Sequence, residues 1–149
     1  MTKAVISNYG VGIVLLKGSS VLLQLRDNKP NIQAPNTWMI PGGGVGKNED
    51  LVKAVKRECE EETAYKLNNP KLFYKHLIYW GDDLSLDRYY YETYDGVQEI
   101  KCLEGQKMEF IPIAKLVDLN LFLGQEEIIK KAFELSRTSY IPAQRGNLM

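Results

Sequence analysis

The stretch from Asp50 to Thr63 constrains this chain more than any other, because it reads as an amphipathic helix with a charge inside its apolar stripe. On a wheel at roughly 100° per residue, Leu51, Val55 and Cys59 fall together, flanked by Val52 and Ala54, and predict a core-facing side. Lys53, Lys56 and Glu60 fall opposite, toward water. Glu62 lands within the apolar stripe, Glu58 on its edge and Glu61 a little further round. Glu58 is three and four positions before Glu61 and Glu62, so all three carboxylates crowd one face. Each like-charged pair at that spacing costs about 0.2–0.5 kcal/mol in an exposed helix, and more when half-buried. Something positive must sit there. Either Arg57 and a lysine neutralise a solvated acidic face, or a cation is bound.

The residues before the helix bear on that choice. Trp38-Met39-Ile40 reads as a short strand stopped by Pro41-Gly42-Gly43-Gly44. Glycines let backbone approach a ligand without Cβ obstruction, and a free carbonyl there can join a metal shell. A plain tight turn into the helix accounts for the same residues. Three converging carboxylates beside a glycine turn suit a hard cation such as Mg²⁺, which takes oxygen ligands and keeps waters or substrate phosphates.

Elsewhere, Val11–Leu16 and Val21–Arg26 are apolar runs around Lys17-Gly18-Ser19-Ser20, a hairpin pattern. Leu72–Trp80 and Leu86–Tyr94 are expected to be strands around the turn Gly81-Asp82-Asp83, with Asp95-Gly96 a second turn. Met108–Ile113 reads as a strand. Gln125–Arg137 reads as a second amphipathic helix with Ile128, Ile129, Ala132, Phe133 and Leu135 inward. Strands and helices mix without strict βαβ alternation, so the class expected is α+β, a mixed sheet with helices packed on it. With 149 residues the expectation is one domain, 1–149, ending in a loosely ordered tail from Ser136.

Lys plus Arg and Asp plus Glu are both 19, so formal net charge is zero. A dedicated nucleic-acid binder should be basic, and an anionic substrate here needs local arginines or a bound cation. Cys59 and Cys102 form no CxxC pair, so neither a disulfide framework nor a zinc site is suggested. No segment reaches membrane-span length. Val11–Leu16 reads as a strand rather than a signal core, and the cytoplasm is the expected compartment.

Gly43, Glu49 and the run Arg57-Glu58-Cys59-Glu60-Glu61-Glu62-Thr63-Ala64-Tyr65 resemble the Nudix box: glycine, five residues, glutamate, seven residues, then Arg-Glu-U-x-Glu-Glu-x-Gly-U with U bulky and apolar. Six key positions match, a coincidence on the order of 10⁻⁷ per starting position at average residue usage. Trp38 before Pro41-Gly42-Gly43 extends the likeness, which spans about residues 5–137. Ala64 replaces the final glycine, so the helix exit is expected to differ in shape. Cys59 and Tyr65 are imperfect U residues, and Gly46 and Asn48 depart from the usual loop. The resemblance implies an α/β/α sandwich with a mixed β-sheet and the Nudix loop-helix. It implies Glu58, Glu61 and Glu62 as ligands of Mg²⁺ (or Mn²⁺), with the Gly43 carbonyl assisting, and a pairing of Glu49 with Arg57 that holds the loop on the helix. The activity it implies is hydrolysis of a diphosphate linkage in a nucleotide. The expected partner is that small-molecule nucleotide, for a single chain or a homodimer, with nucleic acid and membrane not expected from the charge balance and the lack of a span.

Glu104-Gly105-Gln106 is similar to a loop of Nudix enzymes that cleave nucleoside triphosphates, where the glutamate reaches the metal and orients or deprotonates water. A simple turn also fits it. Arg26 is a candidate phosphate contact, or a solvent-facing salt bridge; Gly42, Gly43 and Gly44 are the candidate backbone cradle. Tyr89, Tyr90, Tyr91 and Tyr94 suit strand core better than a stacking surface for a base. The marks of ADP-ribose and NADH enzymes are absent: no proline occurs between Pro70 and Pro112, and there is no Ser-Gln-Pro-Trp. The expected substrate is therefore a nucleoside triphosphate, oxidised or not, cleaved to monophosphate and pyrophosphate. The alternatives are a nucleotide sugar or other nucleoside-diphosphate conjugate, and a Nudix-fold sensor that binds without cleaving.

Overall fold

The computed structural model describes residues 4–138. A continuous apolar run can be buried on both faces only as a central strand, and the run Val11–Leu16 is one. Ile13, Val14 and Leu15 are fully buried, and the strand they belong to, β1 (Ile6–Lys17), is longer than the run itself. Odd positions Val11, Ile13 and Leu15 enter a core beneath the first helix, and even positions Val14 and Leu16 enter one beneath the second. Burying such a side chain contributes about 1.5–3 kcal/mol, so β1 anchors both layers.

Six further strands complete a seven-stranded mixed sheet: β2 (Ser20–Leu25), β3 (Trp38–Met39), β4 (Gly42–Gly44), β5 (Lys71–Trp80), β6 (Asp83–Thr93) and β7 (Lys107–Pro112). The main order is β3-β2-β1-β6-β5, with β7 on β2 and β4 on β1. β1 runs antiparallel to β2 through the tight turn at Gly18, which has φ 59°, and parallel to β6 over nearly its whole length. β1 pairs with β2 at Leu16 and Lys17 and with β4 at Gly10–Gly12. The glycine segment expected as a turn is thus a short strand: Gly42, Gly43 and Gly44 face Gly12, Val11 and Gly10.

Helix α1 (Leu51–Thr63) covers one face of the sheet and α2 (Gln125–Thr138) the other, which makes the α/β/α sandwich. Asp50 caps α1, its carboxylate accepting from the Lys53 N–H. Ala54, Val55, Cys59 and Glu62 are buried, whereas Val52, expected to flank the stripe, is exposed. Ala64 ends the helix at φ 66°, with its N–H donating to the Glu60 carbonyl. That is the left-handed cap that glycine normally supplies, here adopted by an alanine. A 3-10 helix, Ile113–Asp118, follows β7 and was not legible in the sequence. Ser136–Thr138 continue α2 rather than begin a loose tail, and 139–149 lie outside the described residues. Tyr89 and Tyr90 are buried on opposite faces of β6, as core. Cys59 and Cys102 are free thiols, and among the described residues no helix is long and apolar enough to cross a membrane.

Candidate active site

Two of the three glycines of β4 are there for steric reasons. A Cβ at Gly42 would lie 2.1 Å from the Val11 carbonyl oxygen, and one at Gly43 would lie 2.3 Å from Glu58 Oε1. Gly42 lets β4 close on β1, and Gly43 gives the Glu58 carboxylate room against the backbone. Gly44 meets nothing; its carbonyl accepts from Arg57 Nη2 at 3.0 Å.

Arg57 forms the hub between loop and helix. Its guanidinium grips Glu49 with two bonds, Nε to Oε2 at 2.8 Å and Nη2 to Oε1 at 2.9 Å, the fork geometry that makes such pairs strong. Glu49 Oε1 also accepts from the Gly46 N–H at 2.7 Å. The Arg57 guanidinium and that N–H hold the Glu49 carboxyl near 2, well below the usual carboxylate range. Arg57 Nη1 reaches Glu58 at 2.9 Å and Glu61 at 3.2 Å. Arg57 therefore joins the glycine strand, the loop and two of the three helix carboxylates.

Glu62 is different. It is 4% exposed, and its Oε1 accepts from the Gly42 N–H at 3.0 Å. Burial pushes its carboxyl up to about 9, helped by a hydrogen bond that its protonated form donates to Glu104 and by the charges of Glu104 and Glu58. Glu58 is also raised, chiefly by burial, against the opposing pull of Arg57.

Glu104 arrives on a loop stitched to both α1 and β2. Leu103 N–H donates to the Glu62 carbonyl, Gln106 N–H to the Leu25 carbonyl, and Gln24 Nε2 to the Glu104 carbonyl. Gly105 stands at φ 83°, with its absent Cβ only 2.6 Å from the Leu25 oxygen, so the turn needs glycine. Glu104-Gly105-Gln106 is a turn, and it is also the turn that carries a carboxyl to Glu62.

These groups border a cleft of about 420 Å³ between β1, β2, β4 and β6. Gly42, Gly43, Gly44, Glu62 and Glu104 line one end and Arg26 the wall; Glu49, Arg57, Glu58 and Glu61 stand behind the glycine strand, outside the lining. Arg26 makes no ion pair among the described residues. Its Nε donates to the Gln33 carbonyl, and its guanidinium lies 6.0 Å from the centre of the Trp80 ring.

The donor set suits a divalent hard cation in kind: carboxylates and a backbone carbonyl, crowded so that the charge of Glu104 raises the proton affinity of Glu58 and Glu62. Among the described residues no three acidic, histidine or cysteine side chains already stand in a metal-holding arrangement. Arg57 occupies Glu58 and Glu61, and the Glu62–Glu104 hydrogen bond closes the rest. The residues fit a cation by their chemistry and by the crowding of their carboxylates.

The sequence reading missed four cleft residues. Asp87 and Ser85 lie on the β6 face toward the cleft, Trp80 stacks on Phe122 at 4.7 Å, and Gln125 is buried, accepting from the Ile40 N–H and donating to the Tyr89 hydroxyl. The available signal was the pair Gly10 and Gly12 in β1: side chains there would collide with Asp87 and Tyr89.

Residues 7–132 match the NUDIX domain family. Over 59 residues the chain is 48% identical to an RNA pyrophosphohydrolase of Pelagibacter ubique (strain HTCC1062), covering 38% of this chain and 34% of that protein. The match spans about a third of that curated relative's length. A MutT NUDIX hydrolase from Burkholderia pseudomallei superposes with a TM-score of 0.72 at 20% identity, over 84% of this chain and 96% of that one. The NUDIX domain of Shewanella oneidensis NrtR, solved with ADP ribose, superposes with a TM-score of 0.73 at 22% identity, over 89% of each. At these identities the two structures share the fold.

Proposed function

The chain belongs to the NUDIX family, and from that premise we propose that it hydrolyses a nucleoside triphosphate to the monophosphate and pyrophosphate with a divalent cation, Mg²⁺ or Mn²⁺. The observation that carries this reading is the meeting of Glu104 with Glu62 at the cleft end lined by Gly42 and Gly43. A loop carboxyl and a helix carboxyl repel there unless a proton or a cation lies between them.

Glu58, Glu61, Glu62 and Glu104, with the Gly43 carbonyl, would hold the cation. When bound, it neutralises charge on the phosphate oxygens and lowers the pKa of water. The protein's own groups do the rest. The Gly42 N–H aims Glu62 from below. Arg57 and Glu49 lock the glycine strand against α1, so the cradle does not reorganise as phosphate charge builds. Arg26 offers the cleft's guanidinium to the phosphate chain. Glu104 accepts the proton of the attacking water as its oxygen bonds to phosphorus and the bond to the leaving pyrophosphate breaks. The substrate is a nucleotide, taken up by one chain or by a homodimer.

The relative named as an RNA pyrophosphohydrolase favours a second reading, in which the phosphates sit at an RNA end. The zero net charge weighs against it. One experiment separates these. The protein is incubated with each nucleoside triphosphate, a nucleotide sugar, ADP-ribose and a 5′-triphosphorylated oligoribonucleotide, with Mg²⁺, and products are resolved by chromatography. Pyrophosphate from free triphosphates supports the proposal. Cleavage of a conjugate or the oligonucleotide alone overturns it.

A further inference from the structure

We infer that Asp87 is a further acidic residue of the cation site: from β6 it faces the Gly43 carbonyl and helps hold the divalent cation there, itself or through one bound water. This rests on the cation proposed above and adds to it a residue from outside the glycine strand, α1 and the Glu104 loop.

Asp87 lies opposite Gly10 in the parallel pairing of β1 and β6. A Cβ at Gly10 would stand 2.5 Å from Asp87 Oδ1 and 3.5 Å from the Gly43 carbonyl oxygen, so those two oxygens are at most about 6 Å apart. Glycine at position 10 keeps the space between them open. Asp87 is 8% exposed, and its Oδ1 accepts from Ser85 Oγ at 2.6 Å. Oδ2 has no hydrogen bond of its own. No buried side-chain oxygen among the described residues lacks a partner, so Oδ2 is the atom that opens on the cleft. His76, the cross-strand neighbour on β5, forms no ion pair with Asp87, and neither does any lysine or arginine among the described residues.

The surroundings say what such a carboxyl awaits. Gly43, Glu62, Asp87 and Glu104 line the same cleft. A carboxylate there repels both a phosphate and its acidic neighbours, and taking it out of water with no cationic partner is costly. A divalent cation between them turns each repulsion into an attraction. Mg²⁺ sits about 2.0–2.1 Å from its ligand oxygens and keeps several waters, each able to donate across about 2.7–2.8 Å. A cation on the Gly43 carbonyl is therefore within reach of Asp87 directly or through one water. Ser85 holds Oδ1 in place, the kind of outer hydrogen bond that orients a group serving a metal. A hydroxyl of the substrate could also donate to Oδ2, and the test separates the two.

The probe is Mn²⁺ alone, titrated into the full chain without nucleotide and followed by loss of the free ion's electron paramagnetic resonance signal. Wild type, Asp87→Asn and Ser85→Ala are compared, and their thermal midpoints are read in EDTA. Losing a supporting partner of a metal site weakens binding by about tenfold to a hundredfold, and Asp87→Asn is expected to fall in that range. Its midpoint in EDTA is expected to equal or exceed that of the wild type, because asparagine keeps an oxygen for Ser85 and removes an unpaired charge. Ser85→Ala is expected to weaken Mn²⁺ several-fold, and decides the matter if Asp87→Asn does not fold. Mn²⁺ affinity unchanged in the variant that folds, or a wild type that binds no Mn²⁺, overturns the inference. Unchanged Mn²⁺ affinity with a raised nucleotide KM overturns it too, assigning Asp87 to a substrate hydroxyl; unchanged affinity with a lower midpoint makes Asp87 structural. Mn²⁺ binding that depends on Asp87 in a protein with no triphosphate turnover overturns the hydrolase reading alone.

Discussion

Replacing Glu62 with glutamine should make the metal-free protein more stable and the enzyme nearly inactive. Folding holds the Glu62 carboxyl at about 9 instead of 4.5, through burial and the neighbouring Glu104 and Glu58. A carboxyl raised in the folded state keeps its proton while the unfolded chain releases it, so stability falls as pH rises from 4.5 toward 9. At about 1.4 kcal/mol per pH unit, the loss by pH 8 has an upper bound of roughly 4–5 kcal/mol. Glutamine keeps an oxygen for the Gly42 N–H and gives Glu104 a donor, yet never ionises. Urea unfolding at pH 5 and pH 8 in EDTA reads this out. The wild type should lose a few kcal/mol between the two, whereas Glu62→Gln should lose markedly less and exceed the wild type at pH 8. Turnover with Mg²⁺ should drop by at least about a hundredfold, the scale of one lost electrostatic stabiliser. A Glu62→Gln protein that is less stable at pH 8 and fully active would refute the reasoning, because Glu62 would then be a structural acid.

Arg57→Ala should reduce turnover by more than about tenfold while costing only about 1–2 kcal/mol, since the half-exposed guanidinium orients Glu49, Glu58 and Gly44 more than it holds the core; a collapsed thermal midpoint with full activity in the folded fraction contradicts this. Ala64→Gly should raise stability by roughly 0.5–1 kcal/mol, relief of a left-handed alanine less the entropy of glycine, and a lower denaturant midpoint at unchanged slope would show the strain is not there. Glu104→Gln should lower kcat by about a hundredfold with KM little changed, as for a lost proton acceptor; unchanged kcat removes the loop from the chemistry.

The grouping of the candidate residues around the glycine strand and α1 was legible because its signal is local. Gly43, Glu49, Arg57, Glu58, Glu61 and Glu62 lie within one short strand, loop and helix that follow one another in the chain, where spacing largely fixes neighbours, and the structure places Glu49 in the grip of Arg57. Glu104 was legible as a loop, but only the hydrogen bonds to Glu62 and Leu25 show how it is delivered. Gly42–Gly44 has no strand propensity, and it pairs because β1 offers backbone at Gly10–Gly12. The polar half of β1, with Ser7 and Asn8, breaks the apolar run because it borders the cleft. Asp87 and Gln125 carry no local pattern. Their meaning comes from the β1–β6 register and from the seating of α2 against Ile40, which are tertiary facts.

The central claim is hydrolysis at a carboxylate site that needs a divalent cation. The most direct measurement follows nucleoside triphosphate hydrolysis by the wild-type chain in Mg²⁺, in Mn²⁺ and in EDTA, with monophosphate and pyrophosphate quantified by chromatography. Equimolar monophosphate and pyrophosphate in either metal, abolished by EDTA and by Glu62→Gln, is the predicted result. Release of orthophosphate instead, turnover undiminished in EDTA, or no turnover of any triphosphate in either metal would contradict it.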